Sequence, residues 1–145
     1  MTGFSCFIVG NGTLSINCLE LLLLKNCQLL GVYSPDNSLQ AWCESHGIDY
    51  ISSRNLFHKR LLNVEYEYLF SINNVQWIIP KNVIARAKKA TINYHDAPLP
   101  KYAGLYATSW ALLSTVRLNT LSLGIKSFTP QKKISLMLVL FLNKK

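Results

Sequence analysis

Short apolar runs that end in glycine or a turn, each followed by a stretch of helical spacing, recur through the first two thirds of this chain and constrain its fold more than any other feature. Phe4-Ser-Cys-Phe-Ile-Val-Gly10 reads as a buried strand, and Leu14 to Lys25 as a helix that Thr13 or Ser15 can cap. Gln28 to Ser34 reads as a second strand closed by Pro35-Asp36-Asn37, and Ser38 to His46 as a second helix ended by Gly47. Asp49 to Ser52 is a short third strand, Leu56 to Leu62 a third helix and Tyr68 to Ile72 a fourth strand. A helical piece runs from Pro80 through Lys88, and Ala90 to Tyr94 is a fifth strand. Alternation with such short links predicts an α/β chain with a Rossmann-like, doubly wound and mostly parallel sheet.

The formal charge of +8 invites a nucleic-acid reading, which mapping along the chain weakens. Residues 1 to 96 hold eight Lys/Arg and all seven Asp/Glu, a balance of +1; residues 97 to 145 hold seven Lys/Arg and no acid, a balance of +7. The basicity therefore belongs to the tail, and Lys126, Lys132, Lys133, Lys144 and Lys145 come without a stacking aromatic platform, so a nucleic-acid partner ranks last. No basic leader precedes Phe4, and Glu20 and Lys25 interrupt the Leu-rich stretch, so the sequence supports neither a signal peptide nor a membrane span and the cytoplasm is the expected compartment. Cys6, Cys18, Cys27 and Cys43 form no Cys-x-x-Cys pair and are expected as buried free thiols. Cys43 and His46 lack a second ligand pair at zinc spacing, so no metal is expected.

Two places carry candidate chemistry. Gly10-Asn-Gly12 resembles the opening of a dinucleotide loop, but Ser15 stands where the third glycine of Gly-x-Gly-x-x-Gly belongs, and a tight strand-to-helix turn is the simpler reading. The second is Ile92-Asn-Tyr-His-Asp-Ala-Pro-Leu-Pro-Lys-Tyr-Ala-Gly104. Strand alternation gives Asn93 and His95 the same side at the carboxyl end of a strand, where open α/β sheets place their ligands. An amide donor beside a titratable imidazole suits acyl transfer to an amine: Asn93 can hydrogen-bond a developing oxyanion, and His95 can relay a proton near neutral pH. A turn-capping Asn93 and a loop His95 in purely structural roles are equally compatible with chemistry alone.

The run from Asn93 to Gly104, with Tyr106-Ala-Thr-Ser-Trp-Ala-Leu112, resembles the Asn-x-His-x-x-x-Leu-Pro-x-x-x-Gly signature of the 10-formyltetrahydrofolate-dependent formyltransferases. Its wording is most similar to the formyltransferase-like domains attached to peptide-synthetase (AMP-binding) proteins. The resemblance covers residues 4 to 113 and includes Ile78-Ile79-Pro80, similar to an Ile-Leu-Pro element that lies beside the folate pterin in that family. It implies that Asn93 and His95 are catalytic, that Ile79 and Pro80 lie at the cofactor site, that 10-formyltetrahydrofolate is the formyl donor, and that the acceptor is a primary amine, open to delivery by a larger synthetase.

The family's third catalytic residue is an Asp in a later Asp-x-Gly motif, and this chain has no Asp or Glu after Asp96. The resemblance therefore implies a partial catalytic domain over residues 1 to 113, incomplete at its C-terminal end and impaired in turnover. Residues 114 to 145 form a divergent basic and apolar tail. A helix is compatible with Tyr106 to Ser114, Thr115 to Lys133 shows no periodicity, and Ile134 to Leu142 is nearly continuous apolar sequence. A shift of reading frame near Ser114 accounts for this pattern. Codons for Asp-Ala-Gly read one base later spell Met-Leu-Val, the order found at Met137-Leu138-Val139. The alternatives are a folate- or nucleotide-binding remnant without catalysis and a natively divergent terminus that packs as a strand.

Overall fold

The computed structural model describes residues 3–74, 76–95, 124–128 and 133–135. Its strands are β1 (Ser5–Gly10), β2 (Gln28–Tyr33), β3 (Tyr68–Ile72), β4 (Ala90–His95), β5 (Gly124–Phe128) and β6 (Lys133–Ser135), in the sheet order β2-β1-β3-β4-β5-β6. The first four are mutually parallel, β5 pairs antiparallel with β4, and β6 pairs antiparallel with β5. The helices are α1 (Gly12–Leu24), α2 (Gln40–Ser45), α3 (Arg54–Asn63) and α4 (Lys81–Ile84).

Alternating side chains of the strands feed two separate apolar layers, as period-2 geometry requires. On one face Cys6, Ile8 and Val32 pack with Leu19 of α1 and with Leu39 and Cys43 at α2. On the other, Phe7, Val9, Tyr33 and Leu69 pack with Phe57 and Leu61 of α3 and with Val83 and Ala87 at and beyond α4. Aromatic rings dominate this second layer in edge-to-face contacts: Phe7 with Phe57 at 5.7 Å and with Tyr66 at 5.2 Å, and Tyr33 with Trp77 at 5.9 Å. Each such pair contributes roughly 0.5–1.5 kcal/mol beyond area burial. Helices on both faces of a parallel sheet confirm the doubly wound α/β expectation.

Several local readings are corrected. Asp49–Ser52 is no strand but a single parallel bridge of Tyr50 to Val32, held by Val32 N–H to the Asp49 carbonyl and Ile51 N–H to the Val32 carbonyl. Ser53 then serves as the N-cap of α3, which ends the pairing. Neither Thr13 nor Ser15 caps α1. Asn11 occupies the cap with extended backbone, and the Ser15 hydroxyl is buried within the helix, donating to the Asn11 carbonyl at 2.9 Å and the Ile72 carbonyl at 3.3 Å. The helical piece expected through Lys88 stops at Ile84, because the Lys88 and Lys89 amides pair instead with the Tyr66 and Glu67 carbonyls that lead into β3. β5 falls within residues 115–133, where the sequence shows no periodicity. The segment 106–114, expected as a helix, lies outside the described residues.

Candidate functional site

The chain leaves β1 through α1 to β2 on one side of β1 and returns through α3 to β3 on the other. This reversal opens a crevice at the carboxyl ends of β1 and β3, the place where open α/β sheets bind ligands.

Its floor is the β1 turn. Gly10 pairs with Ile72 of β3, and a Cβ on Gly10 would lie 2.3 Å from Ser15 Oγ and 2.7 Å from the Ile72 carbonyl oxygen. Only glycine fits there, which is the close-packing role of glycine in such turns. Gly12 has φ +68°, and its N–H donates to Ser38 Oγ at 2.9 Å. The buried Ser15 stands where a dinucleotide loop has its third glycine, and its hydroxyl bonds to two carbonyls. The tight-turn reading of Gly10-Asn-Gly12 therefore describes this segment.

The β2 end adds a polar network. Ser34 Oγ donates to Asp36 Oδ1 at 2.6 Å, the Ser38 amide donates to the same oxygen at 3.0 Å, and Tyr50 OH donates to Asn37 Oδ1 at 2.8 Å. Desolvation works against the Asp36 charge, but the hydrogen bonds from Ser34 and Ser38 outweigh it and hold this carboxyl below its ordinary value.

Beyond β3, Asn73 takes a left-handed φ of +50° and Asn74 grips the following segment. Its side chain donates to the Trp77 carbonyl at 2.7 Å and accepts from the Trp77 amide at 3.2 Å, while its Nδ2 also reaches Ser71 Oγ at 3.4 Å. Trp77 is buried against Tyr33 and Phe57, so the short stretch Ile78-Ile79-Pro80 leaves a fixed point. Ile78 is 93% exposed, Ile79 packs half-buried against the α3 and α4 layer, and Pro80 is the N-cap of α4. Asn74 thus fixes the Trp77 backbone, a role that no sequence motif marks. Its sequence signal is the Asn-Asn pair directly after an apolar strand, a turn-forming composition.

β4 supplies the signature pair. Asn93 lies in register with the buried Ser71 of β3 and with Lys126 of β5, and His95 with Gly124. Thr91, of the same parity, donates its hydroxyl to the Ile84 carbonyl of α4 at 3.1 Å. Thr91, Asn93 and His95 thus occupy the register positions of the α3 and α4 face. The Asn93 side chain is half-buried and makes no hydrogen bond among the described residues. The His95 side chain and the loop 96–104 lie outside the described residues.

Other polar groups have structural partners. His46 stacks on Trp42 at 4.0 Å, with Nδ1 2.8 Å from the Trp42 carbonyl, and among the described residues no group of three or more His, Cys, Asp or Glu can hold a metal. His58 Nε2, behind Trp77, is buried without a hydrogen-bond partner among the described residues. A hollow lined by Tyr50, Ile51, Ser52, Leu56 and Arg60 lies on the α3 flank and includes none of Asn93, His95, Ile79 or Pro80. Among the described residues no helix is long and apolar enough to cross a membrane.

Sheet order defines the class as a Rossmann-like α/β domain whose order reverses between β1 and β3. Solved structures of this fold include the phosphoribosylglycinamide formyltransferase of Anaplasma phagocytophilum, with a TM-score of 0.65 at 14% identity over 91% of this chain and 67% of that one. The formyltetrahydrofolate deformylase of Pseudomonas syringae pv. tomato gives 0.63 at 17% identity, over 88% of this chain and 45% of its own. A sugar N-formyltransferase from a Shewanella species gives 0.56 at 16% identity, over 86% and 50%. This chain thus spans about half the length of the latter two. No family model matches the sequence, and no curated protein matches it. At these identities the likeness defines the fold.

Proposed function

We propose that this chain carries a formyltransferase-type domain that binds 10-formyltetrahydrofolate and directs its formyl group to a primary amine, with turnover impaired by the missing Asp. One observation carries the reading: Asn93 and His95 hold consecutive same-side register positions at the carboxyl end of an interior strand, next to the Asn74-held segment leading to Ile79 and Pro80. The fold shared with solved formyltransferases and a formyltetrahydrofolate deformylase supports it.

In this reading the amine nitrogen attacks the formyl carbon and the carbonyl oxygen gains charge, which the Asn93 amide stabilises by hydrogen bonding. The bond from the formyl carbon to the folate nitrogen then breaks. The proton lost by the amine passes through His95 to that nitrogen, leaving a formamide and tetrahydrofolate. Ile79 and Pro80 flank the pterin, with the exposed Ile78 beside them. The amine's identity and its delivery by a larger synthetase belong to this proposal, as do the boundary near residue 113 and the changed reading frame after it.

The absence of any acid after Asp96 favours a second reading, a folate- or nucleotide-binding remnant without chemistry. Calorimetric titration with a stable 10-formyltetrahydrofolate analogue, paired with an amine formylation assay, separates the two. Binding with turnover well below the ~1–10³ s⁻¹ typical of enzymes is the expected result. Binding that Asn93→Ala and His95→Ala leave unchanged, with no turnover at all, favours the remnant. Failure to bind the analogue overturns both folate readings.

A further inference from the structure

Far from the crevice, at the amino end of the sheet, Cys6 of β1 and Cys27 immediately before β2 bring their sulfurs to 3.0 Å within the α1 and α2 layer. That is about 1 Å beyond a covalent S–S bond. Both thiols are free. The two residues differ in access: Cys6 is fully buried, whereas Cys27 is 7% exposed and follows the left-handed Asn26 turn at the start of β2, the outer strand on that side of the described sheet.

The geometry points to Cys6 and Cys27 as a reversible dithiol–disulfide pair that takes up oxidation by a hydroperoxide. The remaining cysteines do not compete. Among the described residues Cys6 and Cys27 are the pair of sulfurs in contact, whereas half-buried Cys18 and buried Cys43 have no sulfur partner, and burial, with the nearby Glu44 charge at Cys43, pushes both of those thiols up to about 11. Within the pair the shifts are opposed. The hydrogen bond between them, in which either sulfur can donate, lowers Cys27 against the effect of its burial, while the same bond and burial raise Cys6. Cys27, the more exposed sulfur and the one at the turn into the outer strand, is assigned as the one that attacks, and the fully buried Cys6 as the one that resolves.

In the first step the Cys27 thiolate attacks one peroxide oxygen, the O–O bond breaks, and the departing oxygen takes a proton, leaving a sulfenic acid on Cys27 and water or an alcohol. In the second, Cys6 sulfur attacks Cys27 sulfur, the S–O bond breaks, and hydroxide leaves with the Cys6 proton as water. Two thiols are oxidised to one disulfide and one peroxide is reduced. A dithiol reductant reverses the exchange.

The full chain, reduced and then treated with one equivalent of hydrogen peroxide, is denatured in a maleimide and analysed by mass spectrometry with fragmentation between Cys6 and Cys18. The expected result is loss of two of the four alkylatable thiols, a Cys6–Cys27 cross-link two hydrogens lighter than the dithiol, and recovery of all four with dithiothreitol. Cys27→Ser should leave Cys6 reduced over the same time course, and Cys6→Ser should leave Cys27 as a sulfenic acid that dimedone traps, passing to the sulfinic acid only when a second equivalent of peroxide is added. Four alkylated thiols after peroxide, or a cross-link through Cys18 or Cys43 in equal yield, overturns the proposal.

Discussion

Substituting Gly10 by alanine tests whether the β1 turn sets the shape of the crevice. The new Cβ would meet Ser15 Oγ at 2.3 Å and the Ile72 carbonyl oxygen at 2.7 Å. The two contacts differ in their ability to yield. Ser15 Oγ can rotate away only by giving up its hydrogen bonds to the Asn11 and Ile72 carbonyls, worth about 1 kcal/mol in all because one hydroxyl proton serves both. The Ile72 oxygen is backbone and moves only if the end of β3 moves with it. Overpacking of a tight core costs typically 1–3 kcal/mol, and two simultaneous contacts of this kind place Gly10→Ala at the upper end, about 2–3 kcal/mol. For a chain of this size that lowers Tm by roughly 5–10 °C, at about 2–4 °C per kcal/mol. Urea and thermal melts of wild type, Gly10→Ala, Ser15→Ala and the double variant form a cycle. Ser15→Ala removes one of the two contacts, so the double variant should be less destabilised than the sum of the singles by about 0.5–1.5 kcal/mol, within the range seen for touching residues. Gly10→Ala within about 0.5 kcal/mol of wild type, the range of an ordinary surface change, would show that the turn adapts freely, and a strictly additive cycle would show that Ser15 is not what crowds it.

Asp36, whose folded carboxyl is held below its ordinary value by Ser34 and Ser38, contributes stability that is present above the unfolded carboxylate range and fades as pH falls through the folded value. Asp36→Asn should therefore lower the urea midpoint at pH 7, with the difference from wild type shrinking as pH falls below the ordinary carboxylate range; a difference that does not change with pH contradicts the assignment. Asn74→Ala removes both bonds to the Trp77 backbone, a loss of about 1–3 kcal/mol if the freed groups stay buried. If the Ile78 to Pro80 segment borders the folate, the same change should weaken analogue binding in calorimetry, whereas Lys59→Ala on the exposed side of α3 should not.

Strands with an apolar core role are legible in the sequence itself. Tyr68–Ile72 needed no adjustment, and β1, β2 and β4 shifted by one residue at most at either end. Their alternation or continuous apolarity reports burial directly. What sequence could not show depended on partners distant in the chain. Asp49–Ser52 has strand composition, but it bridges to Val32 at Tyr50 alone before α3 begins. Ser15 has the chemistry of a cap, but Ile72, 57 residues away, claims its hydroxyl. Lys88 continues a helical pattern locally, yet the carbonyl of Tyr66 takes its amide. At the candidate site, Asn93 and His95 were legible because two-residue spacing on a strand fixes their parity. Asn74 was not, because its role lies in a backbone it grips rather than in any motif.

The strand order also governs how this chain must emerge from the ribosome. β1 is made first, but one of its two neighbours, β3, follows about sixty residues later, as the Ser5–Glu67 bond spanning 62 positions records. At synthesis rates of about 5–20 residues per second, Phe7, Ile8 and Val9 wait roughly 3–12 seconds for the strand that covers their second edge. The aromatic layer closes later still, since it includes Val83 and Ala87. During that interval the apolar run Phe7, Ile8 and Val9 lacks the strand that covers its second edge, an edge open to pairing with other chains, so expression faster than the sheet can close favours aggregation.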